Sequence, residues 1–121
     1  MKFHPIQGIT ATGSGVFPAE NAQNISFEFL CANHTSGNGV LTLLGSNDGV
    51  NFTAISFIDP TVANTNAQNI TRVLSKTLSA NGATVGCIEN WFKFEFLKFN
   101  IVVTTDGTYD VYVNYDYANK D

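Results

Sequence analysis

Trp91-Phe92-Lys93-Phe94-Glu95-Phe96-Leu97-Lys98-Phe99-Asn100-Ile101-Val102-Val103-Thr104-Thr105-Asp106-Gly107-Thr108-Tyr109-Asp110-Val111-Tyr112-Val113-Asn114-Tyr115-Asp116-Tyr117 is the stretch on which the fold turns. Aromatic and β-branched residues dominate it, and they recur with period two, the pattern of a half-buried strand. Phe92, Phe94 and Phe96 alternate with Trp91, Lys93 and Glu95. After Leu97 the apolar phase moves to Phe99, Ile101 and Val103, and a one-residue slip of that kind predicts a β-bulge or sharp bend. Asp106-Gly107 has the composition of the central pair of a type I′ turn and predicts a hairpin. On the return strand, Tyr109, Val111, Val113, Tyr115 and Tyr117 share one face, with Asp110, Tyr112, Asn114 and Asp116 on the other.

The same grammar extends upstream. Ile25, Phe27, Phe29 and Cys31 alternate with Ser26, Glu28, Leu30 and Ala32, a second strand. Residues 33–39 have loop composition, and Val40 to Leu44 is a short apolar run suited to a buried strand. Ser46-Asn47-Asp48-Gly49 is turn chemistry, and Phe52 to Ile58 continues as a strand, so 40–58 predicts a hairpin. Residues 59–69 are polar and Asn-rich, a surface loop. Ile70 to Leu78 partly fits helical and strand spacing alike, with its Thr and Val content favouring strand. Ser79 to Gly82 is a turn, and Ala83 to Ile88 a short strand. Residues 1–24 carry Pro5, Gly8, Gly13, Gly15 and Pro18 and only short apolar pairs, which predicts an extended N-terminal arm ahead of a domain spanning 25–121. About seven or eight strands joined by Gly/Asn/Asp turns, with no convincing helix, read as an all-β chain: an antiparallel, jelly-roll-like β-sandwich.

Composition narrows the function. The 121 residues are 44% hydrophobic and 12% aromatic, too apolar for disorder, and make one domain of ordinary size. Only 13% are charged, against about 25% in average soluble domains. The net charge of −4 and the single arginine, Arg72, argue against nucleic acid, whose phosphates need clustered Lys and Arg. No apolar run approaches the length of a membrane span, and no signal-peptide stretch follows Met1-Lys2-Phe3-His4-Pro5. Two cysteines, Cys31 and Cys87, lie in apolar surroundings and read as reduced, buried thiols. Asn-x-Ser/Thr triplets at Asn24, Asn33, Asn51 and Asn69 follow from a chain rich in Asn, Ser and Thr.

Chemistry-bearing patterns are few. His4 and His34 have no companion Ser, Cys or Asp motif, and there is no Gly-x-Ser-x-Gly, phosphate loop or His-Glu-x-x-His. Glu28, Glu89, Glu95 and Asp110 provide carboxylates, but any ten acidic residues would. Asp48 and Asp106 sit in turns with too few carboxylates for calcium. The chain is therefore expected to be no enzyme, with no cofactor and no metal. The aromatics remain. Trp91, Tyr109, Tyr112, Tyr115 and Tyr117 suit either a sugar-stacking platform or core and subunit interface.

Gly45-Ser46-Asn47-Asp48-Gly49-Val50-Asn51-Phe52-Thr53-Ala54-Ile55 resembles a recurring hairpin of discoidin-type β-sandwich domains. It is similar as well to a hairpin of small one-domain β-sandwich virion proteins of bacteriophages, where an apolar strand, a Gly-containing turn and a final Val/Tyr strand follow it. Here those are Phe99 to Val103, Asp106-Gly107 and Val111 to Tyr115, so the resemblance covers roughly 40–115. Discoidin domains are longer and closed by cysteines near their termini, where Cys31 and Cys87 do not lie, which favours the phage-like likeness. That resemblance implies a virion structural protein, capsid-associated or of decoration type, assembled in the host cytoplasm and binding copies of itself and other capsid proteins. The alternative is a carbohydrate- or cell-surface-binding module. A homo-oligomer, first a trimer, is expected from the low charge and exposed apolar residues. The candidate interface residues are Phe3, Ile6, Ile9 and Phe17 on the arm, with Trp91 and Tyr112 on the 91–117 ribbon.

Overall fold

A computed structural model describes residues 1–62 and 70–118. It contains β1 (Lys2–Ile9), β2 (Gly13–Pro18), β3 (Ala22–Ala32), β4 (Gly37–Ser46), β5 (Thr53–Ile55), β6 (Phe57–Ile58), β7 (Arg72–Val73), β8 (Ser75–Leu78), β9 (Gly82–Cys87), β10 (Phe96–Thr105) and β11 (Thr108–Tyr117). The strands form two antiparallel sheets. One has the order β1-β11-β3-β9-β6-β7; the other has β2-β10-β4-β5, with β8 also paired to β4. Without the short strands β5, β6 and β7, the orders are β1-β11-β3-β9 and β2-β10-β4-β8. That arrangement of eight strands is a jelly roll, and it matches the seven or eight strands expected from turn spacing. The remaining three occupy an excursion between β4 and β8.

The period-two patterns become the two inner faces. Phe27, Phe29 and Cys31 on β3 and Tyr109, Val111 and Val113 on β11 point inward from the six-stranded sheet. Leu41 and Leu43 on β4 and Leu97, Phe99 and Ile101 on β10 meet them from the other. Burying each such side chain is worth about 1.5–3 kcal/mol. Phe27 lies edge-on to Phe99 across the gap at 5.2 Å and to Phe57 in its own sheet at 5.1 Å. Gly86 lies beneath the Phe27 ring, where any β-carbon would collide with it.

The structure corrects several expectations. Residues 1–24 do not stand apart as an arm. β1 pairs with β11 and β2 with β10, so the segment supplies one edge strand to each sheet. The two edges meet where the Pro5 carbonyl presses on the α-carbon of Gly15, leaving no room for a side chain. The predicted bulge at Leu97 is absent. β10 starts at Phe96 and keeps unbroken register with β4 and β2, so the phase slip marks the start of a strand. Residues 91–95 precede it outside any strand. Asp106-Gly107 does not close a hairpin, because β10 and β11 belong to opposite sheets and the turn carries the chain between them. Ile70 to Leu78 splits for the same reason: β7 joins one sheet, β8 the other, and Leu74 is exposed between them. The 40–58 hairpin is present only as far as Ile55, since β5 pairs with β4 while β6 joins the opposite sheet. Of the 59–69 loop, residues 63–69 lie outside the described residues, as does the Asn69 triplet.

Candidate interaction surfaces

Turn chemistry fixes the ends of the sandwich. The Asp106 carboxylate accepts hydrogen bonds from the backbone N–H groups of Thr35 (2.9 Å) and Ser36 (3.2 Å) and from the Thr35 hydroxyl. It thereby ties the β10–β11 crossing to the β3–β4 crossing, and these donors, Thr35 first, hold its carboxyl below the usual range. Asp48 plays the same part in the Ser46–Asn51 turn. Its Oδ1 accepts from the Val50 and Asn51 backbone N–H groups, each at 2.8 Å, and these with the Asn51 and Ser46 side chains hold it well below the usual carboxylate value. The neighbouring Asn47 Oδ1 accepts from Glu95 N–H at 3.1 Å. The Ser-Asn-Asp-Gly turn therefore anchors itself and the approach to β10, and its polar atoms are spent internally.

Two ion pairs brace the excursion. Arg72 grips Glu89 with two bonds, Nε to Oε2 at 3.0 Å and Nη2 to Oε1 at 2.7 Å. Those bonds hold the Glu89 carboxyl below its ordinary value despite its burial. Burial works to raise the Asp59 carboxyl, but Lys76 (2.8 Å) and Thr61 outweigh it, and the net direction is down. Carboxylates with folded values below their unfolded ones contribute stability that is present above the unfolded pKa and lost as pH falls through the folded one. The urea midpoint should therefore stay flat near neutral pH and drop as pH falls below about 4. In Asp59→Asn it should start lower and change less with acid. A midpoint equal at pH 7 and pH 3 would contradict this account.

The six residues singled out from sequence fall into two groups. Ile6 (2% exposed) and Phe17 (1%) are core residues, and Phe3 and Ile9 are half-buried against that core, with the Phe3 ring 5.5 Å from Phe17. These four belong to the chain's own interior, for the physical reason that β1 and β2 close the sandwich edge. Trp91 (71%) and Tyr112 (40%) are on the surface, where Tyr112 pairs with His4 and Trp91 with Phe92.

Tyr112 faces outward from β11, as its phase in the sequence predicts. His4 from β1 stacks on it at 4.0 Å with an angle of 15° between the rings. His4 Nε2 is 2.9 Å from Asp110 Oδ1, and the same oxygen accepts from Gly8 N–H at 2.8 Å. Beside it runs a groove of about 500 Å³ across the outer face of the six-stranded sheet, lined by Glu28, Val85, Cys87 and Asn114 among others. Both cysteines are free; Cys31 is buried, and Cys87 only partly so, because it faces this groove. Burial pushes the Cys87 thiol up, away from the reactive thiolate.

Trp91 stands on the segment between β9 and β10. Glu89 and Phe92 form its first turn through Phe92 N–H to Glu89 C=O at 3.0 Å. The indole Nε1–H donates to Glu89 Oε1 at 3.2 Å, and the ring meets Phe92 edge-on at 4.3 Å. Asn90 and Asn24 exchange bonds of 2.9 Å, pinning this segment to the start of β3. Between residues 19–25 and 88–97 opens a cavity of about 330 Å³. Its apolar lining includes Ile25, Ile88, Phe92 and Leu97, and Asn21, Gln23, Lys93 and Glu95 also line it. Sequence reasoning singled out Trp91 but not the pairing of Glu89 with Arg72, nor this cavity, whose walls are far apart in the chain.

Among the described residues, no group of three or more His, Cys, Asp or Glu side chains is placed to hold a metal ion, and no helix is long and apolar enough to cross a membrane. No known protein family matches this sequence, and no curated protein matches it. Its fold does have a counterpart among solved structures. The crystal structure of the SPBc2 prophage-derived protein YomS matches over 96% of this chain and 92% of that one, with a TM-score of 0.69 and 10% sequence identity, a likeness of fold.

Proposed function

We propose that this chain is a phage-related, non-enzymatic structural protein of the virion, capsid-associated or of decoration type, that acts through protein contacts. The observation that carries this reading is the fold shared nearly end to end with a prophage-derived protein. The jelly roll is a recurrent capsid architecture, although a fold alone does not fix a function. On this reading the chain assembles in the host cytoplasm, first as a trimer, and then seats on other capsid proteins. Tyr112 with the adjacent groove, and Trp91, supply the exposed aromatic surface such contacts use. The acidic balance leaves nucleic acid an unsuitable partner.

The test is mass spectrometry of particles purified from the strain that carries the gene, paired with light scattering of the isolated protein. The expected result is a particle-bound chain that resists a high-salt wash, and an oligomer at micromolar concentration. A chain confined to the soluble fraction of the lysate and monomeric at every concentration would overturn the reading.

A second reading, a carbohydrate- or cell-surface-binding module, is favoured by one observation. Trp91 is highly exposed yet rigidly held. Jelly rolls also serve as lectin domains.

A further inference from the structure

The chain has ten acidic residues and a net charge of −4, so copies of it repel one another wherever their carboxylates come face to face. Those residues are unevenly placed. None lies on β2, β4, β5, β8 or β10, the strands of the second sheet. Glu28, Asp110 and Asp116 belong to the other sheet, on the Tyr112 side of β3 and β11. The remainder lie in turns, in connecting segments or beyond β11. The molecule thus has one acidic outer sheet face and one from which acidic side chains are missing.

That second face is partly apolar. One row across it runs Val16, Lys98, Leu44 and Ala54, and another pairs Val102 with Val40. Val16 is 41% exposed and Val102 47%. Lys98 does not stand free, because its ammonium lies 4.2 Å from the centre of the Phe52 ring. Lys76 sits opposite inward-facing Leu41 and is bonded to Asp59. Four strands abreast, about 4.8 Å apart and up to ten residues long, make a footprint on the order of 600 Å². A stable interface takes roughly 800 Å² per partner. In a closed ring of copies, residues near the axis meet the same residues of the other copies. A carboxylate there would face its own kind, which like-charge repulsion opposes. The acid-free face meets that condition, and the face carrying Glu28 and Asp110 does not. Strand addition along β1 is blunted as well, since β1 carries Pro5 and two register shifts, and the Pro5 carbonyl presses on Gly15 of β2.

We infer that the outer face of the sheet formed by β2, β10, β4, β5 and β8 is the surface through which copies of this chain meet around a symmetry axis, with Val16 and Val102 in the contact. The inference rests on the homo-oligomer of the structural reading above and gives it a location. It leaves the acidic face, with Tyr112 and its groove, turned away from the axis.

The test places a charge on each face in turn and reads the mass of the full chain by light scattering across a concentration series. The parent is expected to be an oligomer at micromolar concentration. Val102→Glu on β10 and Val16→Glu on β2 should each raise the dissociation constant at least about tenfold, because the new carboxylates of neighbouring copies meet. Both positions are partly exposed in the single chain, so the circular dichroism of each variant should match the parent's. Two variants on separate strands keep the result decisive where one of them fails to fold. Val85→Glu, on the outer face of the other sheet beside Glu28, should leave the oligomer intact. An oligomer that both Val102→Glu and Val16→Glu retain would overturn this surface while the oligomer itself stands. Dissociation by Val85→Glu to the same extent would also overturn it, since the site of the charge would then be immaterial. A parent that is monomeric at every concentration would remove the oligomer together with the surface.

Discussion

A chain lacking residues 1–17 is expected to lose its cooperative thermal melt. The deletion takes Ile6 and Phe17, both almost fully buried, out of the core. Losing a buried isoleucine or phenylalanine side chain costs roughly 2–5 kcal/mol each, and the whole stability of a domain this size is about 5–15 kcal/mol. The same cut unpairs one edge of β11 and one edge of β10, the strands to which β1 and β2 are bonded. It also removes the Pro5–Gly15 contact that closes the two sheets on each other. Circular dichroism with heating, or a proton–nitrogen correlation spectrum, decides the matter. A truncated chain that still melted in one sharp step near the parent's midpoint would mean that β1 and β2 merely decorate a sandwich beginning at β3.

Phe27→Ala should cost about 4 kcal/mol, within the range for burying and then losing a phenylalanine. The position is a junction. Its ring packs edge-on against Phe57 in its own sheet and against Phe99 in the other, and Gly86 is a glycine so that the ring fits. Removing it opens a cavity between the sheets and strips two aromatic contacts, each worth about 0.5–1.5 kcal/mol. Phe27→Leu should cost only about 1–2 kcal/mol because leucine refills most of the space. Val102→Ala on the outer face of β10 should change stability by less than about 0.5 kcal/mol. Urea unfolding of the three variants gives the comparison. Equal losses in all three would show that the inner faces are not packed as described.

Legibility in the sequence followed from how local the cause was. Ile25-Phe27-Phe29-Cys31 and Tyr109-Val111-Val113-Tyr115 declared their inner face because alternation is a property of one strand by itself. Asp106-Gly107 declared a turn correctly and a hairpin wrongly. The residues set the bend, but the sheet that the next strand joins is set by partners elsewhere in the chain. β1 and β2 were hidden by Gly and Pro. An edge strand needs few inward residues, and Gly15 is there because another backbone passes over it, a tertiary cause with no local sign. The surface behaved alike. Tyr112 could be placed outward from its phase alone. The clamp behind Trp91 joins Arg72 to Glu89 across 17 positions, a pairing that no spacing rule reveals.

The strand order fixes when this protein can fold as it is made. β10 lies between β2 and β4, and β11 between β1 and β3, so in each sheet one interior strand is synthesised after both of the strands it joins. Until residues 96–117 have left the ribosome, β1 and β2 have no strand to pair with, and β3 and β4 each lack one of their two neighbours. The nascent sandwich must wait, with strand edges open, for β10 and β11. Completion is then abrupt, because two strands laid in place finish both sheets together. In that interval the open strand edges invite association with neighbours.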